Sequence, residues 1–322
     1  MKRVAIVGFG IAGSAAARLA PEGCTVVVFD AGILRCSSRV ATGLVNPIVL
    51  KRRRAVWRAK EALEAAHRMY PAEFCSTEPI YEVLQTAAEV NDWGALRDHP
   101  VIGEFLGELV DAPEYVSGLK LGMVRGSFRL RIAAYLDWAS QQFECSTEPV
   151  VQLRPLDSGA WLINERQEFD AVLLCEGYQA RWVEHFWGDL GFARTLGQGL
   201  RIQGAAASSL MLHRSHFLVP DGEGIYQLGA TYASGIEHGD LDPPAADKGH
   251  TLELVKSAAS WFKGEIEVLD AWTGIRPTTK DRRPRWGWHP ELQGLGMLNG
   301  LGSRGTLHAP LLASELWNSA KF

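Results

Sequence analysis

Residues 8–13 read Gly-Phe-Gly-Ile-Ala-Gly, and their flanks leave few folds open. Before them, Arg3 to Val7 (RVAIV) is a β-branched run of the kind carried by a strand buried on both faces. After them, Ser14 to Ala20 is alanine-rich and predicts a helix. Pro21-Glu22-Gly23 predicts a turn, and Thr25 to Phe29 (TVVVF) a second buried strand that ends on Asp30. Strand, G-x-G-x-x-G, helix, strand and terminal acid together make a dinucleotide-binding βαβ unit. Gly8 permits the tight turn, Gly10 lets backbone approach a pyrophosphate, and Gly13 lets the helix lie close to the strand. The helix start, with Ile11 and Ala12, offers unsatisfied N–H groups to a diphosphate. Asp30, followed by Ala31, can accept from a ribose diol and repels a 2′-phosphate. The alternative is a glycine-rich turn with no ligand, and the motif by itself does not separate FAD from NAD.

At roughly 150 residues per domain, 322 residues suggest about two domains. A net charge of −4, with 47% hydrophobic and 22% charged residues, is that of an ordinary soluble chain and argues against nucleic acid as a bulk partner. Cys24, Cys36, Cys75, Cys145 and Cys175 form no C-x-x-C pair, so no disulfide framework or zinc site is expected, and a reducing cytoplasm fits. None of the nine histidines has metal-ligand spacing, so no metal is expected. No apolar run reaches 18 residues, which excludes a membrane-spanning helix. Lys2-Arg3 and the following apolar stretch imitate a secretory leader, but three glycines in fixed register would spoil its helix.

Past Asp30 the chain does not enter another regular βα unit. Ala31 to Pro47 is a run of mostly small residues containing Ser38, Arg39, Thr42 and Gly43. Phe169 to Leu174 (FDAVLL) predicts a strand and leads into Cys175-Glu176-Gly177-Tyr178. Ala271-Trp272-Thr273-Gly274-Ile275-Arg276-Pro277-Thr278-Thr279-Lys280-Asp281 is followed by Pro284 and Gly287. Asn299-Gly300-Leu301-Gly302-Ser303-Arg304-Gly305-Thr306 then precedes a helix start near Ala309. In order and spacing these segments resemble the family of D-amino acid oxidase, glycine oxidase and sarcosine oxidase. The resemblance implies that 31–47 is a second FAD-contacting loop leading into a helix, and that 175–178 closes the nucleotide domain over the cofactor. It also implies that Val150 and Val151 sit on a strand near the adenine, that Gly229 to Tyr232 is a strand, and that the C-terminal glycines lie along the flavin. Leu301 to Gly305, with His308-Ala309-Pro310-Leu311 after it, is similar to the FAD domain of bifunctional enzymes that modify the tRNA wobble uridine. That domain removes a carboxymethyl group from a secondary amine; no methyltransferase portion accompanies it here.

The chemistry so implied is oxidation of a C–N bond by hydride transfer to N5 of a non-covalently held FAD. Imine hydrolysis and reoxidation by O2 to H2O2 would follow. Arg276, in G-x-R-P, is the expected clamp for a substrate carboxylate, because guanidinium offers two parallel donors. Its alternative is a structural pair with Asp281 or Asp270. Arg304 is expected to reach substrate or flavin, or to cover the loop from outside. Gly300, Gly302 and Gly305 would aim N–H groups at the flavin, or form an ordinary surface turn. Phe217 stands where glycine oxidase has a substrate-holding tyrosine, a role left to Tyr232 or His216. Trp272 is the expected wall of the site.

Lys51-Arg52-Arg53-Arg54, with Arg58 and Lys60, reads as the solvated face of a helix starting after Pro47, with Trp57 behind it; the sharper reading is a docking site for tRNA phosphates. Pro243-Pro244 marks a loop, and no lid or large dimerisation tail is expected after the last helix. The expected fold class is α/β (α+β overall). A Rossmann-like FAD-binding domain on a central parallel sheet would take 1–77, 142–196 and 273–322. A smaller substrate domain on a mixed or antiparallel sheet would take 78–141 and 197–272. The expected function is an FAD-dependent amine or amino acid oxidase. The alternatives are demodification of a tRNA uridine, and an FAD-containing protein that binds a small ligand with little turnover.

Overall fold

A computed structural model describes residues 1–32, 36–234 and 243–320. The N-terminal unit forms as its sequence requires. The strand Lys2–Val7 leads through the glycine turn into the helix Ile11–Arg18, and the strand Cys24–Phe29 returns parallel to the first. Val4, Ala5, Ile6 and Val28 are wholly buried, the expected result for β-branched runs covered on both faces.

Around this unit lies a six-stranded sheet in the order Glu144–Ser146, Cys24–Phe29, Lys2–Val7, Ala171–Leu174, Leu295–Asn299, Arg285–Trp288. All neighbours are parallel except the last pair. Three distant stretches of chain therefore deliver the C-terminal ends of their strands to one edge, where ligands of such sheets bind. The C-terminal helix Gly305–Asn318 packs beside Ile11–Arg18, and Trp317 Nε1 donates to Ala16 O at 2.8 Å.

A nine-stranded mixed sheet carries the other half of the cavity. Its spine is a long antiparallel pair, Phe192–Gly204 with Ile266–Thr279, in which Gly197 faces Gly274 and Thr195 faces Arg276. One of its pairings, Met211–Arg214 with Ile80–Leu84, is parallel. Its packing against the helix Ala87–Leu96 rests on Trp93, wholly buried and lying on Gly122, where a Cβ would come within 2.5 Å of the indole.

Four local expectations are corrected. No α-helix follows Pro47 directly: Ile48–Val49 pairs with Arg54–Ala55 around a single 3-10 turn at Leu50–Arg52, and the α-helix is Ala59–Met69. Asn46 Oδ1 accepts from Ile48 N at 3.0 Å, a local turn that competes with helix, and Arg53 and Arg58 both take positive φ. Val150 and Val151 precede the strand Leu153–Pro155 and are not part of it, held from the side by Asn164, whose Oδ1 accepts from Val151 N at 2.9 Å. The strand Ile225–Gly229 ends at Gly229, so Ala230 and Thr231 belong to a connecting loop, where Thr231 Oγ1 accepts from Gln198 N at 3.0 Å. The C-terminal helix begins at Gly305 and not near Ala309, with Pro310 inside it.

Trp93→Ala removes the largest side chain between sheet and helix, and the Nε1 hydrogen bond to Gly107 O at 3.2 Å. A loss of about 3–5 kcal/mol is expected in equilibrium denaturation with the chain still folded below the transition.

Candidate functional site

The glycine turn has no room for side chains. Gly8 takes φ +92, and a Cβ on it would lie 2.5 Å from Cys175 O. On Gly13 a Cβ would lie 1.9 Å from Gly8 O, and on Gly10 2.9 Å from Ser38 Oγ. Ser38 Oγ accepts from Ile11 N at 3.0 Å, so the loop after Asp30 folds back over the start of the helix. The C-terminal glycine segment closes on the same point: a Cβ on Gly305 would lie 2.7 Å from Ile11 Cγ2. Two motifs nearly 300 residues apart thus form one floor.

Above that floor runs a cavity of about 1380 Å³, roofed by the mixed sheet. It brings together nearly every residue singled out from the sequence. Asp30, Ala31, Thr42, Gly43, Val150, Cys175, Glu176 and Gly177 line it. Gly274, Arg276, Tyr232 and the run Leu301 to Thr306 line it as well. Three of the expected residues do not face it. Gly13 sits behind the turn, Arg39 turns away to an ion pair with Asp137 at 2.7 Å, and Gly300, at φ +70, shapes the loop from beneath.

The electrostatics differ among these residues. Burial pushes the Cys175 thiol up to about 12, so it is inert as a nucleophile. Glu176 accepts from the backbone N–H of Trp182 (3.0 Å) and of Val183 (3.0 Å) at the start of the helix Arg181–Trp187, yet burial raises its pKa to about 7. Two guanidinium groups, Arg276 and Arg304, also line the cavity. Arg276 lies with its guanidinium carbon 4.0 Å from the centre of the Tyr232 ring and donates to Leu196 O at 3.2 Å. It occupies the space above Gly197, where a Cβ would lie 2.4 Å from Nη2. For both Arg276 and Arg304 burial lowers the pKa and the nearby Tyr232 raises it. Among the described residues neither has a carboxylate partner. Asp281 pairs with Arg285 at 3.2 Å, and Asp270 accepts from Ala271 N, so neither is the structural partner of Arg276.

One lining residue escaped the sequence reading. Asn299, 2% exposed, spends its Oδ1 on Gly300 N at 2.8 Å, while its Nδ2 has no partner. A buried amide donor without an acceptor costs free energy unless a ligand supplies one. Its position just before the glycine run was the only signal available.

These features fit a flavin dinucleotide. Gly8 and Gly10 let the turn close against Cys175 and Ser38 where a Cβ would clash, Asp30 lines the cavity at the end of its strand, and Asn299 Nδ2 lacks an acceptor among the described residues. No group of side chains among the described residues could hold a metal ion, and no helix is long and apolar enough to cross a membrane.

Fold and cavity define a dinucleotide-dependent enzyme. The chain belongs to the family described as DAO, FAD dependent oxidoreductase, which it matches over residues 3–317. FAD is accordingly its cofactor and oxidoreduction its chemistry. It is 28% identical over 322 residues to the tRNA 5-methylaminomethyl-2-thiouridine biosynthesis bifunctional protein MnmC of Maricaulis maris, covering 97% of this chain and 51% of that protein. The chain thus spans about half the length of that relative. The fold is that of glycine oxidase from Geobacillus kaustophilus (TM-score 0.75, 21% identity, 100% of this chain and 96% of that one). Iminodiacetate oxidase from Chelativorans sp. shares it (TM-score 0.75, 20% identity, 98% and 95%).

The Glu176 carboxyl gives a test by pH. Its folded pKa, about 7, exceeds its ordinary value of 4.5, so the native state holds a proton that the unfolded chain has lost. Stability therefore falls as pH rises through that window and levels off above it. Glu176→Gln, which keeps an acceptor for the two N–H groups, should flatten this part of a melting-temperature profile between pH 4.5 and 7. An unchanged slope would remove Glu176 as its source.

Proposed function

We propose that this chain oxidises the C–N bond of an amino acid or N-substituted amino acid with a free carboxylate. The observation that carries this reading is the pair Arg276 and Arg304, two half-buried guanidiniums lining one cavity, the first of them over the Tyr232 ring, with no carboxylate of their own among the described residues. A desolvated cation left unpaired is costly, and a substrate carboxylate offsets that cost while fixing the orientation of the amine. Arg276 is pinned by Leu196 O and the space over Gly197, so its free N–H groups point in one direction. Bound FAD supplies the hydride acceptor, and hydrolysis of the imine and reoxidation by O2 to H2O2 complete the cycle. No carboxylate pair or nucleophile is needed. The residues orient the substrate, and the Gly300 to Gly305 segment, entering a helix N-terminus, supports negative charge on the cofactor side. In this division 1–77, 142–196 and 273–322 serve the cofactor and 78–141 with 197–272 the substrate, while the roof's long strands, Phe192–Gly204 and Ile266–Thr279, run across both bounds. Phe217, which lines the cavity, cannot supply a tyrosine hydroxyl, and Tyr232 takes the place beside the carboxylate.

Arg276→Ala should weaken binding of the active amine roughly ten- to hundredfold, the worth of a charged hydrogen-bonded pair. Anaerobic bleaching of the yellow protein, titrated with D-, L- and N-alkyl amino acids, measures this. An unchanged affinity would remove Arg276 from the reaction.

A second reading, that the amine is carried on tRNA, is favoured by a surface that the sequence reading divided in two. Arg283 lies 4.9 Å over the Trp57 ring, and Arg58 packs on the same ring at 5.5 Å. This joins the run at 51–54 to a second basic cluster, Lys280, Arg282, Arg283 and Arg285, which sequence inspection passed over. Lys51, Arg52, Arg54, Arg282 and Arg283 are exposed and have no ion-pair partner among the described residues. If tRNA docks there, changing Arg52, Arg54 and Arg283 together to alanine should lower tRNA affinity and cut the slope of log K against log salt by about 2–3. Equal slopes in filter-binding titrations would exclude it.

A further inference from the structure

The cavity, about 1380 Å³, takes in the dinucleotide floor and the roof above it. Its roof contains one continuous register row. His213 faces Phe217, Phe217 faces Gly229, Gly229 faces Gly199, and Gly199 faces Trp272. All five line the cavity. The central two have no side chains; the Trp272 indole fills the place over Gly199, and Gly229 is left without a side chain between Phe217 and Trp272. At the outer end of the row, His213 and Glu82 are both 7% exposed, and His213 Nδ1 donates to Glu82 Oε2 at 2.6 Å. With Nδ1 committed, the remaining ring nitrogen is what His213 offers the cavity. Lys51 and Glu253 stand exposed at the rim beside it, and His216 is held by Ser257 at 2.9 Å.

From these positions we infer a second subsite at the Glu82–His213 end of the cavity, which receives the substituent on the substrate's amine nitrogen. The reading rests on Arg276 holding the carboxylate. Two strand spacings separate His213 from Gly229, about 10 Å, so a methyl group cannot reach it and an extended substituent can. The subsite presents acceptors (the free imidazole nitrogen, Glu253) and a donor (Lys51) around a buried polar pair. The matching chemistry is an amide-type group, N–H beside C=O. An alkyl group placed there would leave the His213 nitrogen desolvated and unpaired.

Binding of unreactive ethers tests this without turnover. In (2-carbamoylethoxy)acetate an oxygen replaces the amine nitrogen, so C–N oxidation is impossible, and (3-methylbutoxy)acetate is its apolar isostere. Calorimetric titration of the FAD-loaded protein should show the carbamoyl ether binding at least tenfold more tightly. The double change Glu82→Leu with His213→Phe, which leaves no buried charge behind, should abolish or reverse that preference. Should this variant fail to melt cooperatively, Lys51→Met and the native preference decide, with Lys51→Met expected to reduce the ratio severalfold. Equal binding of the two ethers by the native protein, or tighter binding of the alkyl ether, overturns the subsite while leaving the carboxylate reading intact. Binding of neither ether overturns the carboxylate reading and the subsite with it.

Discussion

Everything in this molecule depends on backbone meeting backbone at Gly8. The carbonyl of Cys175, the carbonyl of Gly8 against Gly13, and the side chain of Ile11 against Gly305 are contacts that a single added methyl would break. They hold because parallel register aligns Phe29 with Val7 and Val7 with Leu174, so three strands end level, and the C-terminal strand runs beside them to Asn299. Level ends allow segments from the beginning, middle and end of the chain to make one surface. A diphosphate needs that surface bare, since its charge is stabilised by N–H groups and a helix N-terminus at close range.

The roof follows the opposite logic and places side chains where the floor excludes them. Strands Phe192–Gly204 and Ile266–Thr279 are long enough to span the cavity, and positions 272, 274 and 276 share one face. Glycines at 197 and 199 on the partner strand accept the bulk of Arg276 and Trp272. Ser37 Oγ donates to Ile275 O, tying the loop after Asp30 to the strand that carries the arginine. Floor and roof are thus coupled by direct hydrogen bonding, so the position of Arg276 relative to the cofactor turn is a property of the fold and not of a mobile loop.

What could be read in the sequence was local. The βαβ unit announces itself because turn, helix and strand lie within thirty residues and each needs a particular residue type. Arg276 was legible as part of a spaced motif. Pairs made across the chain were not: Glu82 and His213 are 131 residues apart, and nothing in either neighbourhood marks a partner. The basic ridge was half visible at 51–54, but its other half gained meaning only when Arg283 was found over Trp57. The helix expected after Pro47 failed for a local reason, an Asn46 turn followed by two residues at positive φ, which outweighed the pull of a charged run.

The two functional readings share a chemical core and differ in what lies beyond it. Both require a carboxylate at Arg276 and a C–N bond beside the flavin, because a single unpaired pair of guanidiniums serves either. They part at the other end of the roof, where Lys51 belongs to the cavity rim and to the basic run at once. A free small molecule would use only the inner rim and leave Arg52, Arg54, Arg282 and Arg283 in water, where exposed cations cost little. A polyanion would reach those same arginines only if its amine were presented on an arm long enough to pass Phe217. Gly229, facing Phe217 across the sheet, has no side chain to bar such an arm, so the length of the substrate's substituent, more than its charge, separates the two.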